Sequence, residues 1–148
     1  MTIYQALKND HQEAKKLFAD LEQTKGKNGN AREKLFTELK AALEAHSEAE
    51  EEVFYSPLKK NEETKEKIQH ANKEHDKVAK TLTELEDMDK DNEQWLKKVT
   101  QLQEDVQHHI KEEEEEIFQK ARGIFSEQQA EDMAQEFEQA KNQKAMKT

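Results

Sequence analysis

The segment at residues 46–54 reads HSEAEEEVF, and the segment at residues 109–118 reads HIKEEEEEIF. In each segment a histidine is followed four residues later by a glutamate, and then by an aliphatic residue and a phenylalanine. Residues four positions apart stand on the same face of an α-helix. The pairs brought together by this spacing are His46 with Glu50 and His109 with Glu113. The repeated pattern therefore predicts two helices that each direct a histidine and a carboxylate toward one place.

Apolar residues at helical spacing extend outward from both segments and recur in two further parts of the chain. Only three glycines and one proline occur among 148 residues, so little of the chain can be turn. The two further stripes also contain histidines, His11 in the first helix and His75 in the third. These features predict an all-α fold, an up-down-up-down antiparallel four-helix bundle with a short C-terminal accessory helix. We expect one domain over residues 1–148, with the bundle at about 2–122 and the accessory helix at about 127–142.

Capping and turn residues set the expected helix boundaries. Three pairs have the spacing of N-terminal caps, namely Thr2 with Gln5, Asn30 with Glu33, and Ser126 with Gln129. The third helix should run from about Glu63 to Glu86, with connections at residues 25–30 and 87–92. Ser56–Pro57 should break or kink the second helix.

Composition argues against several classes of function. The net charge of −10 disfavours nucleic-acid binding and attraction to anionic membranes. No apolar run is long enough to span a bilayer and the N-terminus has no signal-peptide core, so a cytoplasmic location is expected. The absence of cysteine excludes disulfides, thiolate metal sites and iron–sulfur clusters. Any metal must therefore be held by nitrogen and oxygen atoms.

The apolar stripes direct four histidines and two glutamates into the bundle interior. Burying these groups without partners would destabilise the fold by several kcal/mol each. Two dications would balance the two carboxylates and a bridging oxide or hydroxide, with neutral imidazoles in the remaining positions. A single interior histidine is more often a satisfied core residue, so the prediction depends on the coincidence of all six. The predicted metal ligands are His11, His46, Glu50, His75, His109 and Glu113.

His70 is an open question in this ligand set. It lies five residues before His75, about 140° around an ideal helix, at the edge of the apolar stripe. A π-bulge in the third helix would turn it inward as a fifth imidazole, whereas a regular helix would leave it exposed or behind the ligands. His108 should face solvent, Tyr55 should lie in the core or at its rim, and the other residues of the two acidic runs should be solvated.

These residues resemble the hemerythrin-like, or HHE cation-binding, domain family of the bacterial single-domain type. The motifs that carry the resemblance are Asp10-His11, His46-x-x-x-Glu50-Glu51 before Phe54-Tyr55-x-Pro57, Glu74-His75-Asp76, and His109-x-x-x-Glu113 before Ile117-Phe118. The resemblance implies two non-haem iron ions bridged by the carboxylates and an oxo or hydroxo group, with zinc less favoured. A ferritin-like bundle requires Glu-x-x-His pairs, and no histidine of this chain has a glutamate three residues before it.

Two departures from the oxygen-carrying members of the family bear on function. Those carriers place two histidines four apart in the third helix, where this chain has Ala71 for the first and His70 one residue away. They also use an aspartate five residues after the last histidine, where this chain has Glu114. Relatives that repair iron centres carry a cysteine-bearing N-terminal segment, which is not found here. Sensing or peroxide chemistry is therefore expected in preference to reversible oxygen carriage or iron-centre repair.

The expected function is the binding or sensing of O2, NO or peroxide at an open position of a di-iron site. Two alternatives are a di-iron enzyme that decomposes peroxide and a metal- or redox-responsive regulatory module. The expected partner is the small diatomic or peroxide ligand, without nucleic acid or membrane, and the chain should be a monomer or weak homodimer. An apolar lining from Leu7, Leu43, Phe54 and Val106 should slow solvent access.

Overall fold

The computed structural model of the protein describes residues 1–26 and 29–146, which contain α-helices and two π-helical turns but no strand. In chain order the elements are α1 (Ile3–Glu22), α2 (Gly29–Glu50), the first π-helical turn (Glu51–Tyr55), α3 (Ser56–Lys59), α4 (Lys65–Asp87), α5 (Glu93–Glu112), the second π-helical turn (Glu113–Ile117), α6 (Phe118–Arg122) and α7 (Glu127–Met146). The predicted all-α bundle with a C-terminal helix is confirmed. Among the described helices, none is both long and apolar enough to cross a membrane.

Two of the predicted caps fix helix ends. Thr2 and Gln5 form a reciprocal capping box at the start of α1. Ser126 and Gln129 exchange backbone–side-chain hydrogen bonds of 2.8 and 3.1 Å at the start of α7. These bonds satisfy backbone amides that have no partner within the helix.

Other boundaries differ from the prediction by a few residues. Helix α2 begins at Gly29, so Asn30 lies in its first turn and not at its cap. Helix α4 begins at Lys65, and α7 extends to Met146. Residues 27–28 of the predicted loop lie outside the described residues. Shifts of this size are usual because a helix end is defined by only one or two hydrogen bonds.

A break at Ser56–Pro57 is wrong, since the chain remains helical through α3 and turns only after Lys59, whereas the alternative of a kink stays a prediction. Pro57 occupies the first turn of α3, where a backbone amide donor is not needed. The irregularity lies one turn earlier, in the first π-helical turn, which begins after Glu50, and the second π-helical turn begins at Glu113 itself. Each π-helical turn therefore lies at the end of a His-x-x-x-Glu pair and inserts one extra residue, which changes the side chains that face inward afterwards.

A layer of polar side chains divides the bundle core into two apolar clusters. The first cluster surrounds Phe54 and Phe118 and includes the buried face of α7. The second cluster surrounds Trp95 toward the other end of the four long helices. On α1, His11 lies between residues of the first cluster and residues of the second. The bundle thus holds polar groups in its middle with apolar packing on both sides.

Candidate metal centre

Four histidines and two glutamates converge between the two apolar clusters. Each long bundle helix supplies one histidine, and a glutamate follows four residues later on two of them. Both carboxylates are fully buried, and the imidazole-bearing residues are only 3–8% exposed. The converging residues are His11, His46, Glu50, His75, His109 and Glu113. The structure therefore brings together all six interior residues that the sequence predicted, while their role as ligands stays a prediction.

The six side chains form two overlapping groups. Within each group, the atoms that could bind a metal all lie within 4.8 Å of one another. The first group is His11, His46, Glu50 and Glu113, and the second is Glu50, His75 and His109. Glu50 Oε1 lies 3.6 Å from His46 Nε2 and 3.2 Å from His75 Nε2. Glu50 therefore contacts a histidine of each group, as a carboxylate shared by two ions must.

Glu113 also spans the two groups, and Tyr55 contacts it. Glu113 Oε1 lies 3.3 Å from His11 Nε2, and Glu113 Oε2 lies 3.5 Å from His109 Nε2. The fully buried Tyr55 hydroxyl donates a hydrogen bond to Glu113 Oε2 and lies 3.4 Å from His109 Nε2. Its ring stacks on His75 with centroids 5.3 Å apart. The sequence predicted only that Tyr55 lies in the core or at its rim. The contact of Tyr55 with Glu113 was not predicted, because it needs the π-helical turn to bring a residue five positions after Glu50 to the same face.

Several ligand atoms at this centre have no hydrogen-bond partner among the described residues. They are His11 Nε2, both carboxylate oxygens of Glu50, and Glu113 Oε1. An unsatisfied buried polar atom destabilises a protein by about 1–3 kcal/mol, and more when it is charged. Imidazole nitrogens and carboxylate oxygens are good ligands for divalent iron, manganese and zinc. The donor set and its unsatisfied atoms therefore fit a pair of such ions.

A second layer of carboxylates holds the outer nitrogen of every imidazole. The Nδ1–carboxylate distances are 2.6 Å for His11–Glu114, 2.8 Å for His46–Asp10, 3.0 Å for His75–Glu51 and 2.8 Å for His109–Glu74. Such bonds fix the tautomer and direct each Nε2 toward the centre. Glu51 and Glu114 were expected to be solvated, and they remain 42% and 27% exposed while also contacting the histidines. Both lie in the π-helical turns, Glu51 at the start of the first and Glu114 next to Glu113 in the second.

Helix α7 completes the surroundings of His46. Lys141 Nζ donates to Asp10 Oδ1 at 2.7 Å, and the other oxygen of Asp10 accepts from His46 Nδ1. The Phe137 ring meets the His46 ring edge to face at 5.7 Å. The C-terminal helix α7 therefore holds the His46 imidazole in two ways: Lys141 acts through Asp10, and Phe137 contacts the ring directly.

In the metal-free centre, the pKa values of the two glutamates shift in opposite directions. Burial and the neighbouring Glu113 carboxylate raise the pKa of Glu50 well above its usual range. Burial also disfavours ionised Glu113, but the neighbouring imidazoles of His109 and His11 outweigh it and hold the pKa of Glu113 well below its usual range. Burial opposes protonation of His109, yet its hydrogen bond to Glu113 raises its pKa to about 9. Burial lowers the pKa of His46. Metal binding to this set must release protons, since ligands bind deprotonated.

His70 does not join the buried cluster. Helix α4 is regular throughout, so no π-bulge turns the imidazole inward, and the side chain is 60% exposed. It contacts Glu74 and Glu112 at the surface instead. His108 is 64% exposed, as predicted. The π-helical geometry considered for the third helix occurs in the second and fourth long helices.

An apolar cavity of about 480 Å³ adjoins the centre. All four histidines of the cluster line it, together with Leu43 and Val106 as the sequence predicted. Leu7 and Phe54, which were also expected in the lining, belong to the first apolar cluster. The cavity is ample for a small molecule, since one water takes about 30 Å³ in the liquid. A small apolar molecule can therefore approach the imidazoles through it.

Comparisons with known proteins agree with this geometry. The family model described as hemerythrin HHE cation binding domain matches residues 2–121, which leaves α7 outside the match. A curated relative from Nostoc sp. strain PCC 7120, named DNA nickase, is 28% identical over 142 residues. That alignment covers 96% of this chain and 40% of the relative, so the chain spans less than half of that protein's length. The comparison with solved structures gave no match.

The family match and the buried cluster of histidines and glutamates together indicate that the protein binds metal cations. Iron is the typical metal of such domains. The chain belongs to the hemerythrin HHE cation-binding domain family.

Proposed function

We propose that this protein holds two iron ions in the buried centre and binds O2, NO or peroxide there. The observation that carries the proposal is the pair of overlapping ligand groups, which share Glu50 and are both contacted by Glu113. Two sets of nitrogen and oxygen donors that share carboxylates suit two ions better than one. Iron is proposed over zinc because iron is the typical metal of the family.

The residues of the centre have separate roles in this proposal. His11 and His46 would hold one ion, His75 and His109 the other, and the two glutamates would span both. Bound iron would supply one-electron redox chemistry and positions for a small ligand. The second layer of carboxylates keeps each Nε2 aimed inward. The adjacent cavity admits small apolar molecules and presents little polar surface to charged solutes.

Metal retention tests the first half of the proposal. Metal-free protein loaded anaerobically with Fe2+ and freed of loosely bound metal should retain about two iron ions per chain. His109→Ala should lower retention, whereas His108→Ala, which removes the exposed neighbour, should not. Wild-type protein that retains no iron, or equal loss in both variants, would contradict the assignment.

Optical titration tests the second half. The near-ultraviolet and visible spectrum of the iron-loaded protein should change on adding O2, NO or hydrogen peroxide. Insensitivity to all three would remove the ligand part of the proposal and leave metal binding intact.

Peroxide decomposition is a second candidate, favoured by the Tyr55 hydroxyl at the centre. This hydroxyl is not among the proposed ligands, and it donates a hydrogen bond to Glu113. Conversion of two H2O2 to two H2O and one O2 needs protons moved between the two peroxides, and a positioned hydroxyl can give and take back such a proton. Sustained O2 release from peroxide that is lost in His109→Ala would favour turnover over simple binding.

Strand nicking is not carried over from the relative named DNA nickase. The net charge of −10 opposes approach to a polyanion. The direct check is conversion of supercoiled plasmid to open circles by iron-loaded protein without added peroxide, and we expect none.

A further inference from the structure

The two histidines outside the buried centre meet acidic side chains on the surface between α4 and α5. His70 Nε2 lies 3.4 Å from Glu74 Oε2 and 3.5 Å from Glu112 Oε2. His108 Nε2 lies 3.4 Å from the other oxygen of Glu112. Two i, i+4 pairs, one on each helix, thus face each other across the helix–helix contact. The ligand atoms of His70, Glu74 and Glu112 all lie within 4.8 Å of one another.

The spacing of these three atoms suits a transition-metal ion. Ligands at about 2.0–2.2 Å from a tetrahedral ion stand about 3.3–3.6 Å apart, because the edge of a tetrahedron is 1.63 times its centre-to-corner distance. The two distances from His70 Nε2 fall in this interval. One imidazole and two carboxylates would leave a fourth position for water. Because Glu74 and Glu112 are only 18% and 32% exposed, the carboxylates are partly held in place.

Glu74 connects this surface cluster to the buried centre. Its Oε2 faces His70, while its Oε1 accepts a hydrogen bond of 2.8 Å from His109 Nδ1. A second cavity, of about 290 Å³, is lined by His70, Glu74 and Glu112 and also by His109. The cavity therefore runs from the surface cluster to an imidazole of the buried centre.

The charges around this cavity favour cations. Glu66 and Glu116 line it as well, and its cation Lys67 is engaged by Glu116 at 3.1 Å. A cleft lined by one sign of charge raises the local concentration of the opposite ion and the rate of its capture. A divalent ion that enters by this cavity would meet His70 and these carboxylates as well as His109.

We propose that His70, Glu74 and Glu112 form a surface site for one divalent transition-metal ion, through which Fe2+ reaches the buried centre. The site has the same donor types as the centre, imidazole nitrogen and carboxylate oxygen, but it is more exposed and has fewer ligands. It binds more weakly than the buried centre, so an ion passes inward down a gradient of affinity. The loading role rests on the proposed di-iron function, whereas ion binding at the surface does not.

The binding part is tested by calorimetric titration of Zn2+ into iron-loaded protein. Wild-type protein should take up about one further ion per chain with its iron retained, in keeping with a single extra cluster. His70→Gln should lose this uptake, and His108→Gln is the matched control because it removes an equally exposed imidazole and keeps the three clustered ligands. Glu74 is left intact because it also holds His109. Absence of extra uptake in wild type, or unchanged uptake in His70→Gln, would overturn the site.

The loading part is tested by kinetics. Metal-free protein is mixed anaerobically with Fe2+, and the iron that resists a strong chelator is measured over time. His70→Gln should load at least roughly tenfold more slowly than wild type, because the cleft keeps its acidic lining but loses the imidazole that captures the ion. Its final iron content should equal that of wild type, and His108→Gln should load at the wild-type rate. Equal rates in all three proteins would overturn the loading role. Wild-type protein with no chelator-resistant iron would refute the buried centre, while the Zn2+ titration would still decide the surface site.

Discussion

Raising the pH from 6.5 to 9 should destabilise the metal-free protein, and deprotonation of His109 contributes to this loss. Burial opposes its protonation, but its hydrogen bonds to Glu113 and Glu74 raise its pKa from 6.5 to about 9. A histidine whose pKa is raised by folding contributes stability that is fully present below pH 6.5 and is lost as the pH rises through 9. One proton changes the unfolding free energy by ~1.4 kcal/mol per pH unit, so the loss over this interval is about 3 kcal/mol.

The other groups of the centre leave the sign of this effect unchanged. His11 and Glu50 also have raised pKa values, so they too lose their contributions as the pH rises. The lowered pKa of His46 acts below pH 6.5, and the lowered pKa of Glu113 acts below about 4.5, its usual value. Bound metal should reverse the trend, because coordination requires neutral imidazoles and becomes stronger as protons leave. The stability difference between loaded and metal-free protein should therefore widen with pH.

Urea denaturation at several pH values between 6.5 and 9.5 measures this dependence directly. In His109→Gln the unfolding free energy should fall less steeply with pH, by about the ~1.4 kcal/mol per pH unit that one proton contributes. His108→Gln should keep the wild-type dependence on pH. A metal-free protein whose stability stays constant or rises over this interval would refute the reasoning. So would a His109→Gln variant that keeps the full slope.

Three further substitutions test the surroundings of the centre and its scaffold. Lys141→Met should weaken iron retention about tenfold in chelator competition, because it releases the carboxylate behind one imidazole, whereas Lys144→Met is the control on the same helix. Tyr55→Phe should destabilise the metal-free protein by about 1–3 kcal/mol in urea, because Glu113 loses a buried donor. Arg32→Met should lower the unfolding free energy by about 3 kcal/mol with no change in iron content, since buried Arg32 donates to backbone carbonyls far from the centre. An intact retention in Lys141→Met, or unchanged stability in either of the other two, would contradict the corresponding contact.

The inward convergence of the six residues could be predicted because their spacing obeys the ordinary helical period. His46 and Glu50 are four apart within one regular helix, and so are His109 and Glu113 up to the start of the π-helical turn. Apolar neighbours on the same stripes fix which face is inward. The spacing and the apolar stripes are both local patterns, so they can be read from a single sequence.

The inner contacts of Tyr55, Glu51 and Glu114 could not be predicted, because each depends on one inserted residue. A run of glutamates gives no indication of where a π-helical turn falls. Packing between helices, and not the local sequence, stabilises the inserted residue. The same uncertainty affected His70, which would face inward only if α4 contained such a turn. The surface cluster of His70 with Glu74 and Glu112 depends on the register of α4 against α5, which the spacing of residues within one helix does not provide.

Anomalous diffraction at the iron edge from crystals of iron-loaded protein tests the central claim most directly. We expect two strong peaks in the middle of the bundle, at about 2.0–2.3 Å from their ligand atoms. One peak should lie beside His11 and His46 and the other beside His75 and His109, with Glu50 and Glu113 contacting both. A single peak at the centre, no peak there, or strong iron density only at His70 on the surface would contradict the account.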